Sequence, residues 1–591
     1  MKASDFIVSY LKEHGIKDIF GYQGTMIAHF VDSVCKADGI ENHMCYNEQG
    51  AAFAAVGLAK ASGKTAVAYS TSGPGAINLM NGIADAYYDS APVVFFTGQL
   101  NEYEYTGISE LRQQGFQETD VVDMVKPITK YATHISKVED LKYELEKAFY
   151  IANDFAFSKS KSYIANEGRK GPVVLDIPMN VQREDLDLEN AKSFTPPKDK
   201  VIINYEMVAT QIIEEIIKAE KPMLLLGNGI VKGSDFHKDV LKLVKELNIP
   251  VITSLLGRHL LKVDDELNFG YIGAAYGHRY ANILAYKKSD LIVSLACSFC
   301  KRQTGGKSEN FAKNAKIIRV DIDRNELLRK VHSDETHYCC DCEKLVKAML
   351  KVLKDKKVDK TSWVETCKKV KEPLVDFDNH SKEREPNKFI DLISNYATDD
   401  TVVCCDVGQH QVWMGQSFKI TDNQRLLFSG GHGAMGFALP AAIGAYYLNK
   451  KPTVAVCGDG AFQMNIQELQ WVKRENLPVT SIVLNNESLG LIQQQQDDFF
   501  DGNHFGSTAE GGYDAPVFKK IGEAYGINSY SVNSIEELED ILKTIDKTKP
   551  NLIEVHLDIK SKAYPKTYFG EEMYNQKPYI DKKLMEEILA Y

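Results

Sequence analysis

No stretch of the 591-residue chain approaches the roughly 18 uninterrupted apolar residues that a membrane-crossing helix needs, so no membrane partner is expected. There is no basic block either. A net charge of −11 is spread along the chain, which argues against nucleic acid as a partner. The N-terminal MKASDFIVSYLKEHG lacks an apolar core of about 7–15 residues and a cleavage site, so it reads as an amphipathic helix, not a signal peptide. Eleven cysteines in so long a chain make no disulfide framework. Cys339, Cys340 and Cys342 cluster, as do Cys404 with Cys405 and Cys297 with Cys300. No second pair stands at zinc-site spacing, and CSFC is expected inside an apolar strand-like run, so the thiols read as structural. So many unpaired thiols point to a reducing cytoplasm.

What is present is a globular composition, 44% hydrophobic and 26% charged, long enough for three or four domains of roughly 150 residues. Short β-type runs alternate with helical stretches throughout, the pattern of an α/β protein with doubly wound parallel sheets. Three blocks are expected, 1–185, 195–355 and 380–560, followed by a tail or lid, 561–591, rich in Tyr, Lys and Glu. The first block ends in GPVVLDIP and a polar link, REDLDLENAKSFTPPKDK. The second holds KPMLLLGNGI, IPVIT, DLIVSLA and AKIIRVDID; the third holds TVVCCDVG, PTVAVCGDG, VTSIVLNN and PNLIEVHL. The first and third blocks read as copies of one plan.

The most informative segment is GDGAFQMNIQELQWVKRENLPVTSIVLNN, 458–486. Thr453–Cys457 reads as a buried strand delivering Gly458-Asp459-Gly460 to a tight turn. Ile466, Leu469 and Val472 then fall at helical spacing, Asn476 and Pro478 stop that helix, and Thr480–Leu484 forms the next strand. Neighbouring parallel strands would bring Asp459 and Asn486 together at their carboxyl ends, where open α/β sheets bind ligands. A carboxylate and an amide oxygen suit Mg²⁺, a hard cation that shares itself with phosphate oxygens. Glycines let backbone N–H groups approach a diphosphate, and the helix start favours its charge. GDG followed about 27 residues later by NN is the motif of thiamine diphosphate enzymes.

Across nearly its whole length the chain resembles the acetolactate (acetohydroxyacid) synthase branch of that family. The matching strings include NEQGAAFAAVGLAKASGK, TSGPGAINLMNGIADAYYDSAPVVFFTGQ, GFQE, DVGQHQVWMGQ, SGGHGAMGFALPAAIGA and YPKTYFGEEMYNQKP. The resemblance implies pyrimidine-binding, central and diphosphate-binding domains, and a homodimer or tetramer with active sites between subunits. By resemblance, Glu48 hydrogen-bonds the aminopyrimidine ring and drives proton removal through the cofactor. Met435 matches the apolar wedge that bends the cofactor. Gln409 and His410 match diphosphate contacts, Gly433 lies beside the pyrimidine, and Gly460, Ala461 and Asn486 belong to the same cofactor set. The metal ligands become Asp459, Asn486 and the backbone carbonyl of Ser488. Gln117 matches an active-site amide, with Phe116 lining the pocket. The family keeps FAD in the central domain without using it for redox, while related enzymes hold ADP or nothing there. Arg169, Gly227 and Gly229 match that site.

Departures gather on the acceptor side. The family's RFDDR run reads SFCKR, which sets Ser298 at an arginine position taken to grip the acceptor's carboxylate. A family tryptophan aligns with Gln495, the lysine after DIP is Met179, and Gln23 and Thr25 replace the proline and one glycine of GYPGG. Leu491 completes the expected pocket. The loop before GFQE is longer by about six residues than the family's, adding Glu102, Tyr103, Glu104 and Tyr105. The expected reaction is decarboxylation of an α-keto acid, with pyruvate the leading donor, and carboligation to a carbonyl acceptor. Acetolactate is the default product. Alternatives are acetyl transfer to an aldehyde or ketosugar, simple decarboxylation or C–C hydrolysis, and an idle regulatory subunit, the last opposed by intact Glu48, Asp459 and Asn486.

Overall fold

A computed structural model describes residues 1–105, 111–154, 168–196, 203–568 and 570–591. Part of the lengthened loop (106–110) and the end of the first link (197–200) lie outside the described residues. Eighteen strands build three six-stranded sheets. In the first, β1 (Asp18–Gly21), β2 (Glu41–Met44), β3 (Ala66–Ser70), β4 (Val93–Gln99), β5 (Tyr131–His134) and β6 (Val173–Pro178) run in the order β2-β1-β3-β4-β6-β5. The second comprises β7 (Pro222–Leu226), β8 (Val251–Thr253), β9 (Asn268–Tyr271), β10 (Leu291–Leu295), β11 (Lys316–Asp321) and β12 (Glu335–Cys339). Its order is β12-β11-β10-β7-β8-β9, the arrangement typical of dinucleotide-binding domains. In the third, β13 (Val402–Cys405), β14 (Arg425–Phe428), β15 (Thr453–Gly458), β16 (Val479–Asn485), β17 (Asn528–Val532) and β18 (Asn551–His556) follow β14-β13-β15-β16-β18-β17.

The first and third orders are the same permutation, so the two blocks are copies of one doubly wound plan. All three sheets are parallel, and their central strands are buried on both faces, which is why they read as continuous apolar runs. Strands with little apolar content, such as β9, β12 and β17, gave no comparable signal.

One hydrophobic core runs through both the first and third blocks, from Phe53 and Phe95 to Phe437, Trp471 and Val483. Its seam is a pair of helices, Glu48–Ser62 and Ala438–Tyr446, faced with small residues. A methyl group at Gly57 would stand 2.3 Å from the carbonyl oxygen of Ala441, and one at Gly444 only 1.9 Å from that of Ala54. Alanine and glycine are therefore what lets these backbones touch.

One expectation needs correction. CSFC lies just beyond β10 in the turn that follows it, because the strand's apolar run stops at Leu295. The helical stretch expected at Ile466, Leu469 and Val472 is present, as the 3₁₀ turn Ile466–Glu468 running directly into Leu469–Arg474, while the helical path into it from Asp459–Gln463 is broken. Asn465 interrupts it by turning its side-chain amide to the carbonyl of Gly436 at 2.8 Å. The tail packs Met573, Tyr574, Leu584 and Ile588 on the central domain. None of the eleven cysteines is in a disulfide, and no helix among the described residues is long and apolar enough to cross a membrane.

Candidate active site

β15 and β16 are in parallel register from Thr453–Val479 to Gly458–Leu484, which sets Asp459 and Asn486 just past adjacent carboxyl ends. Both are buried. Asp459 accepts the N–H of Gly460 at 2.8 Å and, through its other oxygen, that of Ser488 at 3.0 Å. Burial outweighs these hydrogen bonds and pushes the carboxyl up to about 6, with no cation beside it among the described residues. A buried carboxylate without a counter-charge, next to an amide, fits a divalent oxygen-seeking cation.

The neighbouring groups fit a diphosphate. Gln409 accepts the Asn486 amide at 3.3 Å and donates to the Ser561 carbonyl at 2.8 Å. The Nε2 of His410 is buried with no hydrogen-bond partner, and burial pushes that imidazole down to about 3, so it is neutral. Ala461 is buried behind the turn, and a methyl at Gly460 would meet Leu489 at 2.5 Å and the end of Met435 at 3.3 Å. Met435 thus leans over Gly460. At Gly433 a methyl would meet nothing, but φ of +72° asks for glycine.

Asp406 was not singled out by sequence, yet it fixes this region. Fully buried, it accepts Val407 N–H and Gly436 N–H at 2.9 Å with one oxygen and Ala438 N–H at 3.0 Å with the other. It ties the segment entering Gln409 to the segment leaving Met435. The only sequence signal was an acid closing the strand VVCC.

Glu48 and Gln117 form a second group, in the first domain. Asn47 caps the helix by accepting Gln49 N–H at 2.8 Å, and Glu48, the first helical residue, is buried and accepts the Asn78 amide at 2.9 Å. Gln117 adopts φ of +65° and presses on Gly73, where a methyl would stand 3.0 Å from its carbonyl oxygen. Among the described residues no hydrogen bond or ion pair joins Glu48 or Gln117 to Asp459, Asn486 or Met435 within the chain. Phe116 is 79% exposed, and Thr25 is exposed as well.

A cavity of about 1710 Å³ lies where the three domains meet. Ser298 and Leu491 line it; Thr25, Phe116, Met179 and Gln495 do not. Gln495 is exposed, whereas its neighbours are spent on structure: Gln493 accepts from Ser488, Gln494 pairs with the Ala563 backbone, and Gln496 donates to Phe505. Gly229 and Arg169 are on the cavity wall, and Asp321 stands at the end of β11. Arg169 is already held by Glu326 at 2.9 Å and by Ser90. Gly227 is not on the wall; its missing side chain is required by the Ala296 carbonyl, 1.9 Å from where a methyl would sit.

Ser298 stands at the first arginine position of RFDDR, but the run still carries an arginine. RFDDR has two arginines, and SFCKR keeps the second as Arg302. Its guanidinium lines the cavity, donating to Gln411 at 2.9 Å and to the Gly430 carbonyl at 3.3 Å, with its side chain exposed. A guanidinium is therefore present on the same cavity wall as Ser298.

Three family models match the chain. The thiamine pyrophosphate enzyme N-terminal TPP binding domain matches residues 1–124, the central domain 209–349, and the C-terminal TPP binding domain 406–555. The chain belongs to the thiamine pyrophosphate enzyme family. Within it, the chain is 33% identical to the acetolactate synthase large subunit of Lactococcus lactis, over 95% of this chain and 93% of that relative. It is also 33% identical to the probable acetolactate synthase large subunit of Methanocaldococcus jannaschii, over 100% and 98% of the two chains. Identity to acetolactate synthase 1, chloroplastic, of Nicotiana tabacum is 34%, over 94% and 81%. This thiamine pyrophosphate enzyme is thus similar to acetolactate synthases over almost its full length.

Proposed function

We propose that the chain is an acetolactate synthase-like carboligase that decarboxylates pyruvate and joins the remaining two-carbon unit to a second α-keto acid. The observation that carries this is the uncompensated carboxylate of Asp459 beside Asn486. Asp459, Asn486 and the Ser488 carbonyl would hold Mg²⁺, while Gln409 and His410 would hold the diphosphate. Bound thiamine diphosphate supplies an acidic thiazolium carbon and an electron sink for decarboxylation. Met435 and Gly433 shape the bed on which it lies.

Glu48, oriented by Asn78, would hydrogen-bond the aminopyrimidine ring of the bound cofactor and relay a proton through it. Because the Glu48 group and the Asp459 group are not joined within one chain, Glu48 of one copy would meet Asp459 of a second, in a homodimer or tetramer. Gln117 would face the reacting carbons. Arg302 offers a planar pair of donors for the acceptor's carboxylate, which favours a keto acid over an aldehyde or ketosugar.

For the central cavity we propose FAD in a non-redox role. Its volume, its place at the edge of a dinucleotide-type sheet, and Gly229 and Arg169 on its wall support this. Eleven cysteines with no disulfide among them suit a reducing cytoplasm. The deciding assay incubates purified protein with thiamine diphosphate, Mg²⁺ and pyruvate and identifies products by mass spectrometry, with aldehyde and ketosugar acceptors in parallel. Acetolactate from pyruvate alone is expected; ligation only to an aldehyde or ketosugar would overturn the acceptor assignment. A yellow protein with visible flavin absorbance checks FAD.

A further inference from the structure

A buried charge cluster sits outside the groups assigned so far. Lys60, near the end of helix Glu48–Ser62, places its ammonium 2.6 Å from Asp85 and 2.8 Å from Asp89, both on or just after helix Pro74–Tyr88. The two carboxylates are essentially inaccessible, with side-chain exposures of 0% and 1%. Two acids and one base leave the cluster one negative charge in excess. Burying such a set is costly unless each group is hydrogen-bonded, and it is a poor device for stability alone.

The remaining hydrogen-bond partners, one acceptor and three donors, come from the diphosphate-binding domain, all from the segment that leads into Met435. Lys60 donates to the Phe428 carbonyl at 3.1 Å. Ser429 donates its hydroxyl to Asp85. Gly430 and Gly431 donate their N–H groups to Asp89 at 2.9 and 2.7 Å. The Ser429 oxygen in turn accepts the N–H of Ala434 at 2.8 Å. On the far side of Met435, Asp406 holds the N–H groups of Gly436 and Ala438. Met435 is therefore the one residue between two pinned backbone anchors, and one of them is supplied through Ser429 by the first domain.

We propose that Lys60, Asp85 and Asp89 act through Ser429 as positioning residues for Met435, setting the height of the wedge against the cofactor. This rests on the reading of Met435 given above. Lys60 and Asp89 also reach the wall of the central cavity, but toward Met435 the three act only through the backbone that Ser429, Gly430 and Gly431 carry. An error of even about 1 Å at such a wedge is worth up to about 100-fold in rate.

The test uses full-length protein and a double-mutant cycle. Ser429→Ala removes only the hydroxyl between Asp85 and Ala434, so folding is expected to survive. Hydrogen exchange on the cofactor-free protein should show faster exchange in the peptide spanning 429–436 for Ser429→Ala; unchanged exchange there overturns the proposal whatever the cofactor does. With thiamine diphosphate and Mg²⁺, Ser429→Ala and Met435→Ala should each lower kcat about 10-fold while cofactor Kd by calorimetry moves less than about threefold. The double variant should fall little below the worse single one, because both act through one side chain. A product of the two losses, about 100-fold, would mean Ser429 acts elsewhere and would overturn the proposal. Lys60→Arg should retain most turnover and Lys60→Met should not; equal losses count against the charge cluster. If the wild type neither binds the cofactor nor consumes pyruvate while exchange responds as expected, the reading of Met435 fails and the positioning of its backbone stands.

Discussion

Asp459 accepts the backbone N–H of Ser488 at 3.0 Å, closing the ends of two adjacent strands into one loop pair. The other carboxylate oxygen accepts the Gly460 N–H, and the Tyr513 hydroxyl also hydrogen-bonds this carboxylate, so every partner it has is neutral and its charge is left for a cation. Asp459→Ala is expected to raise the Mg²⁺ concentration needed for cofactor binding at least about 10-fold. Titrating Mg²⁺ into cofactor-containing protein by calorimetry checks it, and an unchanged requirement refutes the ligand assignment.

Glu48→Gln keeps the size of the side chain and the contact with Asn78 but cannot exchange a proton. Cofactor Kd should stay within about threefold, while kcat for pyruvate drops by about 100-fold or more. Full turnover in that variant would remove Glu48 from the proton path.

Arg302→Ala should separate the two halves of the reaction. Carboligation to a second pyruvate is expected to fall about 100-fold, with pyruvate still decarboxylated and released as a two-carbon product. Arg302→Lys should recover only part, since an ammonium lacks the planar fork. Equal loss of both activities would place Arg302 outside acceptor binding.

His134 lies between Asp176 at 2.7 Å and Glu102 at 2.6 Å, where it anchors the start of the lengthened loop. Burial opposes its charge, but the two carboxylates prevail and hold its pKa up at about 9. A raised folded pKa means stability fully present below the unfolded value near 6.5 and lost as pH rises through about 9. The loss should be on the order of 2 kcal/mol after allowance for partial solvent access. Thermal melts of wild type and His134→Gln between pH 6 and 10, at about one-unit steps, should therefore converge at the alkaline end. Parallel curves would show that this ion pair carries no pH dependence.

Much of the fold was legible because buried parallel strands are long, apolar and bounded by glycine. The Asp459–Asn486 pair was legible because both ends of the motif lie on strands that pair directly. The acceptor wall was not. Ser298 drew attention by its position in an aligned run, but which of two arginines faces a cavity depends on where β10 stops and the chain turns. Lys60 and Asp406 were invisible for a related reason: a buried acid or base takes its meaning from partners that only the fold brings to it, the Phe428 carbonyl 368 residues from Lys60 and the Gly436 and Ala438 N–H groups 30 and 32 residues from Asp406.

The helix pair Glu48–Ser62 and Ala438–Tyr446 has a thermodynamic consequence. With backbones in contact at Gly57 and Gly444, the first and third domains share a core that neither can keep alone. They should melt as one cooperative unit in calorimetry, and a fragment ending between them should fail to fold, whereas the central domain, with its own two cores, can give a separate transition.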